Sequence, residues 1–113
     1  MRILVVEDEA VVAMSLEAMV EDFGYAVAGV AGGVERALAL VQDAACDGAI
    51  LDANLNGRWS TPVAAALRAR GVPFVVVSGY SPEQLAELGF TEAAVSKPCR
   101  PRDLEAALAR FAV

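Results

Sequence analysis

The chain has 113 residues, the size of one domain with a single hydrophobic core. Its formal net charge of −6 argues against nucleic-acid binding, which needs clustered Lys and Arg side chains. The chain has no histidine, so it lacks the most common general base, and its two cysteines, Cys46 and Cys99, do not have metal-ligand spacing. We expect two reduced thiols and a cytoplasmic location, because no signal peptide and no membrane-spanning apolar run is present.

Short aliphatic runs alternate with amphipathic stretches along the chain, which predicts alternating strands and helices. Hydrophobic residues make up 57% of the chain and aromatic residues only 6%, as suits the aliphatic core of a parallel sheet that is covered on both faces. The predicted strands are 2–6, 25–31, 47–52, 73–78 and 93–96. The predicted helices are 9–24, 34–45, 61–70, 81–88 and 101–113.

Two of the predicted helices carry local signals. The first has an apolar stripe at three- and four-residue spacing, made of Val12, Leu16, Met19 and Phe23. Gly24 is its stop signal. The third helix is predicted to begin with Thr61 as the cap and Pro62 in the first turn. The segment before it, 53–60, is predicted to be a glycine-containing loop.

Five strands that alternate with five helices predict an α/β fold, a doubly wound parallel sheet with right-handed crossovers. We expect the flavodoxin-like strand order 2-1-3-4-5, a short fourth helix, and one domain over 1–113 without an output domain. The ligand crevice of such a sheet lies outside the carboxyl ends of the strands. The polar residues at those ends are Glu7, Asp8, Asp52, Ser78 and Lys97.

Three carboxylates that meet in one crevice repel each other and raise each other's pKa. A hard cation such as Mg²⁺ relieves that repulsion, since it prefers oxygen ligands. Lys97, the only lysine of the chain, relieves it as well, as a compact charge on a flexible stem that can follow a moving oxygen. With the hydroxyl of Ser78, these groups indicate a site that binds and transfers a phosphoryl group, with Asp52 as the nucleophile.

The arrangement resembles the receiver domains of two-component response regulators, and the resemblance covers the whole chain. Four segments in order carry it: LVVEDE (4–9), AILDANLNG (49–57), VVVSGY (75–80) and SKP (96–98). Each segment alone is a weak signal, but the four at successive strand ends are specific.

The resemblance implies a role for each residue of the crevice. Asp52 is the implied phosphoacceptor, assisted by the hydroxyl of Ser78 and the invariant lysine, Lys97. The implied Mg²⁺ ligands are Asp8, Asp52, the backbone carbonyl of Asn54, and Glu7 either directly or through water. The implied switch residues are Ser78, Gly79, Tyr80 and Pro98. Pro98 completes the Lys-Pro pair that is often cis in the family.

Two departures from the family pattern bear on switching. Ala94 stands where many receivers have an aromatic switch residue, and Asn56 stands where proline is common. Together with PFVVVSGYS (73–81) and the short fourth helix, this is similar to a single-domain subgroup with a Phe-Ala-Thr-Gly-Tyr-like motif, frequent in alphaproteobacteria. One hypothesis is that the ring of Tyr80 covers phosphorylated Asp52 and takes over part of the missing switch.

The resemblance implies a partner that supplies the phosphoryl group, either a sensor histidine kinase or a histidine phosphotransfer protein. The chain would act as a signalling switch, relay or phosphate sink, and would bind a downstream protein through its fourth helix, fifth strand and fifth helix. It would not be an enzyme beyond catalysing its own phosphorylation and dephosphorylation, and it would bind neither nucleic acid nor membrane.

Two other functions stay open. The chain could be a degenerate receiver that binds a protein independently of phosphorylation, although the intact acidic pair and the lysine count against this. It could also be a Mg²⁺-dependent phosphohydrolase. Asn54 disfavours that function, because such enzymes generally need an aspartate two residues after the nucleophile.

Overall fold

The computed structural model describes residues 1–43 and 45–112. The strands are β1 (Arg2–Val6), β2 (Ala26–Ala31), β3 (Gly48–Asp52), β4 (Asn54–Leu55), β5 (Arg58–Trp59), β6 (Phe74–Ser78) and β7 (Ala94–Ser96). The helices are α1 (Ala10–Asp22), α2 (Val34–Asp43), α3 (Thr61–Ala69), α4 (Pro82–Glu87) and α5 (Pro101–Ala109), with a final 3₁₀ turn at Arg110–Ala112. Ala44 and Val113, which the sequence assigns to the second and last helices, lie outside the described residues.

Five strands form one parallel sheet in the order β2-β1-β3-β6-β7. Since β6 and β7 are the fourth and fifth of the predicted strands, this confirms the predicted order 2-1-3-4-5. The register aligns the strand ends, because Asp52 lies opposite Val77 and Ser78 lies opposite Ser96. The polar residues that end these strands therefore meet at one edge of the sheet.

Apolar side chains of the central strands pack on both faces of the sheet. Leu4 and Val6 join one buried cluster with residues of α2 and α3, while Ile3 and Val5 join a second cluster with residues of α1 and α5. The alternation of faces along β1 follows from the two-residue period of a strand. The rigid, doubly covered sheet fixes the strand ends that carry the polar residues. Within the ranges given above, no helix combines the length and apolarity that crossing a bilayer requires.

The segment 53–60 differs from the predicted loop, because it contains the antiparallel hairpin β4–β5. Its turn residues, Asn56 and Gly57, have φ angles of 52° and 85°. An Asn-Gly pair with two positive φ angles is the preferred turn of a two-residue hairpin. Proline could not take this position, since its ring holds φ near −65°. The turn thus explains why asparagine stands at position 56.

The third helix is capped by Ser60, and the prediction of Thr61 as its cap was wrong. Ser60 is fully buried, and its Oγ lies 2.6 Å from the carbonyl oxygen of Asp52 and 3.1 Å from that of Ala53. The hydroxyl therefore ties the start of α3 to the end of β3, in place of bonding the helix N–H groups.

The first helix buries a face centred differently from the predicted stripe. Its buried residues are Ala13, Leu16 and Val20. Of the predicted stripe only Leu16 is fully buried, and the other members, Val12, Met19 and Phe23, are half-buried at its margins. The predicted stripe omitted Ala13 and Val20, which are buried; the small side chain of Ala13 gives only a weak sequence signal.

Candidate functional site

Three carboxylates meet at the carboxyl edge of the sheet. Oxygen atoms of Glu7, Asp8 and Asp52 all lie within 4.8 Å of one another. Glu7 is 2% exposed and Asp52 is 7% exposed, whereas Asp8 is half-buried. Burial removes most of the water that would otherwise screen these charges, so the cluster needs a compensating positive charge.

Lys97 supplies one positive charge at the centre of the cluster. Its Nζ donates hydrogen bonds of 3.0 Å to Oδ2 of Asp52 and of 3.0 Å to Oε1 of Glu7. Burial by itself lowers the pKa of Lys97, but its bonds to Asp52 and Glu7 outweigh that effect and raise the pKa above its ordinary value. The backbone N–H of Lys97 donates to the carbonyl of Ser78, over 3.0 Å, which fixes the lysine beside the end of β6.

The pKa values of Glu7 and Asp8 are shifted in opposite directions. Burial, and then hydrogen bonding with the Asp8 side chain, raise the pKa of Glu7 to about 7, against the lowering effects of the Glu9 N–H and of Lys97. The pKa of Asp8 is lowered, first by its bond with Glu7 and also by the N–H of Asn56, which donates to its Oδ2 over 3.0 Å. Burial therefore favours the protonated form of Glu7, whereas hydrogen bonds favour the ionised form of Asp8.

The donor set fits a hard divalent cation. All three side chains offer carboxylate oxygens, which are the ligands that Mg²⁺ prefers, and the single ammonium of Lys97 compensates only part of their charge. Asn54 follows Asp52 closely and donates its backbone N–H to Oδ1 of Asp52 over 3.3 Å. Its side-chain Oδ1 accepts the N–H of Gly57 over 2.9 Å, which braces the hairpin beside the cluster.

The residues predicted to act in switching lie at the rim of the cluster. Ser78 is buried, and its Oγ accepts the backbone N–H of Tyr80 over 3.0 Å. Gly79 is exposed, as is Pro98, whose peptide bond with Lys97 is cis. Tyr80 is 40% exposed, and its ring packs against the ring of Trp59.

Sequence reasoning missed two residues that bear on the site. The backbone N–H of Asn56 donates a hydrogen bond that orients Asp8, and Oγ of Ser60 donates one to the backbone carbonyl of Asp52. The Asn-Gly pair is a hairpin signal that could have placed the turn, but it does not reveal the bond to Asp8. No local signal distinguishes the buried hydroxyl of Ser60 from that of an ordinary helix cap.

The chain belongs to the family of response regulator receiver domains, since the family's model matches residues 3–109. This family acts in two-component signalling. Among curated proteins, the transcriptional regulatory protein PdtaR of Mycobacterium tuberculosis is 30% identical over 118 aligned residues, which cover 97% of this chain and 58% of PdtaR.

Solved structures agree with the family. SdrG from Sphingomonas melonis Fr1 is 41% identical with a TM-score of 0.84, and the match covers 99% of this chain and 96% of SdrG. The response regulator PhyR from Brucella abortus is 28% identical with a TM-score of 0.84, over 97% of this chain and 46% of PhyR. The chain therefore spans less than two thirds of the length of PdtaR and of PhyR, but nearly all of SdrG.

Proposed function

We propose that this receiver domain accepts a phosphoryl group from a phosphohistidine donor onto Asp52 in the presence of Mg²⁺. The observation that carries the proposal is the bond of 3.0 Å between the Lys97 ammonium and the Asp52 carboxylate, inside a cluster that includes Asp8. Asp8, Asp52, the backbone carbonyl of Asn54, and Glu7 directly or through water are the proposed ligands. Bound Mg²⁺ would neutralise charge on the oxygens of the transferring group.

The carboxylate of Asp52 attacks phosphorus. The P–N bond of the phosphohistidine breaks, a P–O bond to Asp52 forms, and the leaving imidazole takes the electron pair and a proton. Lys97 already contacts Oδ2 of Asp52, and its flexible stem lets the ammonium follow an oxygen of the incoming group. Ser78 uses a lone pair of its Oγ to accept from Tyr80, so its own proton is available to donate to that group. Water later attacks phosphorus, the P–O bond to Asp52 breaks, and inorganic phosphate leaves, which restores the carboxylate.

This chain has no histidine to phosphorylate, so a phosphohistidine donor would be a separate protein. A sensor histidine kinase or a histidine phosphotransfer protein is the proposed partner. We also propose that this domain catalyses only its own phosphorylation and dephosphorylation. It would serve as a switch, relay or phosphate sink, and the expected cytoplasmic location stays a prediction.

The proposed output surface is formed by α4, β7 and α5. Ala94 on β7 is exposed, and beside it lies a cavity of about 280 Å³ that is also lined by Asp103, Ala106 and Arg110. A small residue at position 94 leaves room there for a side chain of a partner. A change of charge at Asp52 would reach this surface through Lys97, which directly follows β7.

The proposal is tested by incubating the protein with acetyl phosphate and Mg²⁺ and measuring the intact mass. We expect one added phosphoryl group, which disappears in Asp52→Asn and persists in Asp22→Asn, a matched change of an exposed carboxylate on α1. Protein that does not react is then given a phosphohistidine donor. If neither donor modifies the protein, or if Asp52→Asn is modified equally, the proposal is wrong.

The alternative functions make different predictions. A receiver that binds its partner independently of phosphorylation would bind it equally well as wild type and as Asp52→Asn. A phosphohydrolase would need an acid/base at Asn54, whose amide has no useful pKa and whose Oδ1 already accepts the N–H of Gly57. The hydrogen-bonded amide therefore favours acceptance of a phosphoryl group over turnover of a substrate.

A further inference from the structure

Two aromatic rings from different parts of the chain pack together beside the acidic cluster. Trp59 lies on β5, and Tyr80 lies in the loop that follows β6. Their ring centroids are 5.3 Å apart and their planes are inclined at 59°. Trp59 is 37% exposed and Tyr80 is 40% exposed, so the contact lies at the surface and its rings have room to separate.

Each ring is connected to a different component of the site. Trp59 is paired with Asn54 across the β4–β5 hairpin, and Asn54 donates to the carboxylate of Asp52. Tyr80 donates its backbone N–H to Oγ of Ser78 over 3.0 Å. The ring contact therefore joins the hairpin beside the phosphoacceptor to the loop that holds the switch hydroxyl.

The bond between Tyr80 and Ser78 makes this contact sensitive to the position of the hydroxyl. Oγ of Ser78 is held by the Tyr80 N–H, so a rotation of Ser78 toward a group on Asp52 must either break that bond or pull the loop with it. Movement of the loop displaces Tyr80 relative to Trp59, and loss of the bond removes a restraint that holds Tyr80 in place. Ala94, on the neighbouring strand, has no ring that could follow the hydroxyl instead.

We propose that Trp59 is a positioning residue, which holds Tyr80 and through it the hydroxyl of Ser78 in the unphosphorylated arrangement, and that the two rings separate on phosphorylation. This inference rests on the proposed function of Asp52. According to this inference, the β4–β5 hairpin takes part in switching. The Trp59–Tyr80 pair then replaces the aromatic residue that is missing at position 94.

Trp59 is the only tryptophan of the chain, so its fluorescence reports on the ring contact directly. Emission spectra are recorded without metal, with Mg²⁺, and with Mg²⁺ and acetyl phosphate, and the intact mass of each sample is measured. We expect a shift of the emission on phosphorylation beyond any shift that Mg²⁺ causes. Tyr80→Leu should lose most of that phosphorylation-dependent shift, whereas Tyr80→Phe, which keeps the ring, should retain it.

Trp59→Leu provides the second measurement. We expect its rate of phosphorylation or of phosphoryl loss to change by about two- to tenfold, the size that one aromatic pair supports. The amide resonance of Tyr80 in ¹H–¹⁵N spectra should also move toward its position in phosphorylated wild type. The matched control is Phe23→Leu, which removes the other aromatic pair, with Tyr25, and should change neither the rates nor that resonance.

The outcomes separate the two proposals. Wild-type protein that gains no phosphoryl group from either kind of donor overturns the proposed function and this inference with it. Protein that is phosphorylated on Asp52, but whose Trp59 emission and Tyr80 amide resonance do not respond, overturns the inference alone. The inference is also wrong if Trp59→Leu and Phe23→Leu have equal effects on the rates.

Discussion

Without metal, the wild-type protein should lose stability as the pH rises. Glu7→Gln should remove this pH dependence. Glu7 is 2% exposed, and burial with hydrogen bonding to Asp8 raises its pKa from 4.5 to about 7. The unfolded chain releases this proton near pH 4.5, whereas the folded protein keeps it until about pH 7. The unfolded state thus binds fewer protons over this range, and the free energy of unfolding falls as the pH rises.

The magnitude follows from the shift. One pKa unit corresponds to about 1.4 kcal/mol, so the full shift corresponds to about 3 kcal/mol of stability, present below pH 4.5 and lost through pH 7. The lowered pKa of Asp8 acts in the opposite sense but only below its ordinary value of 3.8, and the raised pKa of Lys97 acts above 10.5. Among these three groups, Glu7 is therefore the one that changes the free energy of unfolding between pH 4.5 and 7.

The assay is urea unfolding, followed by circular dichroism, at several pH values between about 5 and 8 with a chelator present. Wild type should lose stability across the series, and Glu7→Gln should lose much less, because glutamine keeps the shape and carries no titrating proton. Glu21→Gln, on the exposed side of α1, should keep the wild-type slope. Saturating Mg²⁺ should flatten the wild-type slope, since the cation would replace the proton. Equal slopes in wild type and Glu7→Gln without metal would refute the reasoning.

Three further substitutions test the neighbouring contacts. Lys97→Met should strengthen Mg²⁺ binding by about tenfold in calorimetric titration, because it removes a competing positive charge beside the cluster, and should abolish phosphorylation by acetyl phosphate. Asn56→Pro should weaken Mg²⁺ binding by about tenfold or more, because it removes both the N–H that orients Asp8 and the positive φ of the turn. Ser60→Ala should lower the free energy of unfolding by about 1 kcal/mol in urea titrations, since it removes the buried hydroxyl that bonds the Asp52 carbonyl.

Two of these substitutions have a control variant. Asn56→Gly keeps the N–H and accepts the positive φ, so it should bind Mg²⁺ as wild type does; equal weakening by proline and glycine would mean that the asparagine side chain matters instead. Ser15→Ala changes an exposed hydroxyl on α1 and should leave stability unchanged, so an equal loss there would count against a special role for Ser60. Unchanged Mg²⁺ affinity in Lys97→Met would show that the ammonium does not compete with the cation.

The doubly wound parallel sheet could be predicted from sequence because it follows from the alternation of strands and helices. Alternation alone does not select one strand order, and the convergence of the polar residues was predicted on the expected flavodoxin-like order, which the structure confirms. Aliphatic runs in the sequence end at Asp52, at Ser78 and just before Lys97. Because parallel strands have their carboxyl ends at one edge of the sheet, these residues are expected to meet there. Contacts that depend on a particular backbone conformation could not be predicted from the sequence. The N–H of Asn56 meets Asp8 only because two positive φ angles turn the hairpin back toward the cluster.

Side-chain packing between distant segments was also out of reach. Nothing in the residues around Trp59 or Tyr80 indicates that the two rings touch, because they lie in separate segments, on β5 and in the loop after β6. Ser60 was overlooked for a related reason: Ser60 and Thr61 are both residue types that cap helices, and the sequence does not show that the hydroxyl of Ser60 meets the carbonyl of Asp52.

The β4–β5 hairpin connects features of this chain that otherwise look independent. Within six residues it contains Asn54, which donates to Asp52, Asn56, which orients Asp8, and Trp59, which packs on Tyr80. A proline at position 56 would prevent this turn, and without the turn Trp59 would not face Asn54. The asparagine at 56 and the alanine at 94 are then connected departures, since a ring supplied by the hairpin makes a ring on β7 unnecessary. Changes in the hairpin should consequently alter Mg²⁺ binding and switching together, whereas changes at position 94 should alter partner binding alone.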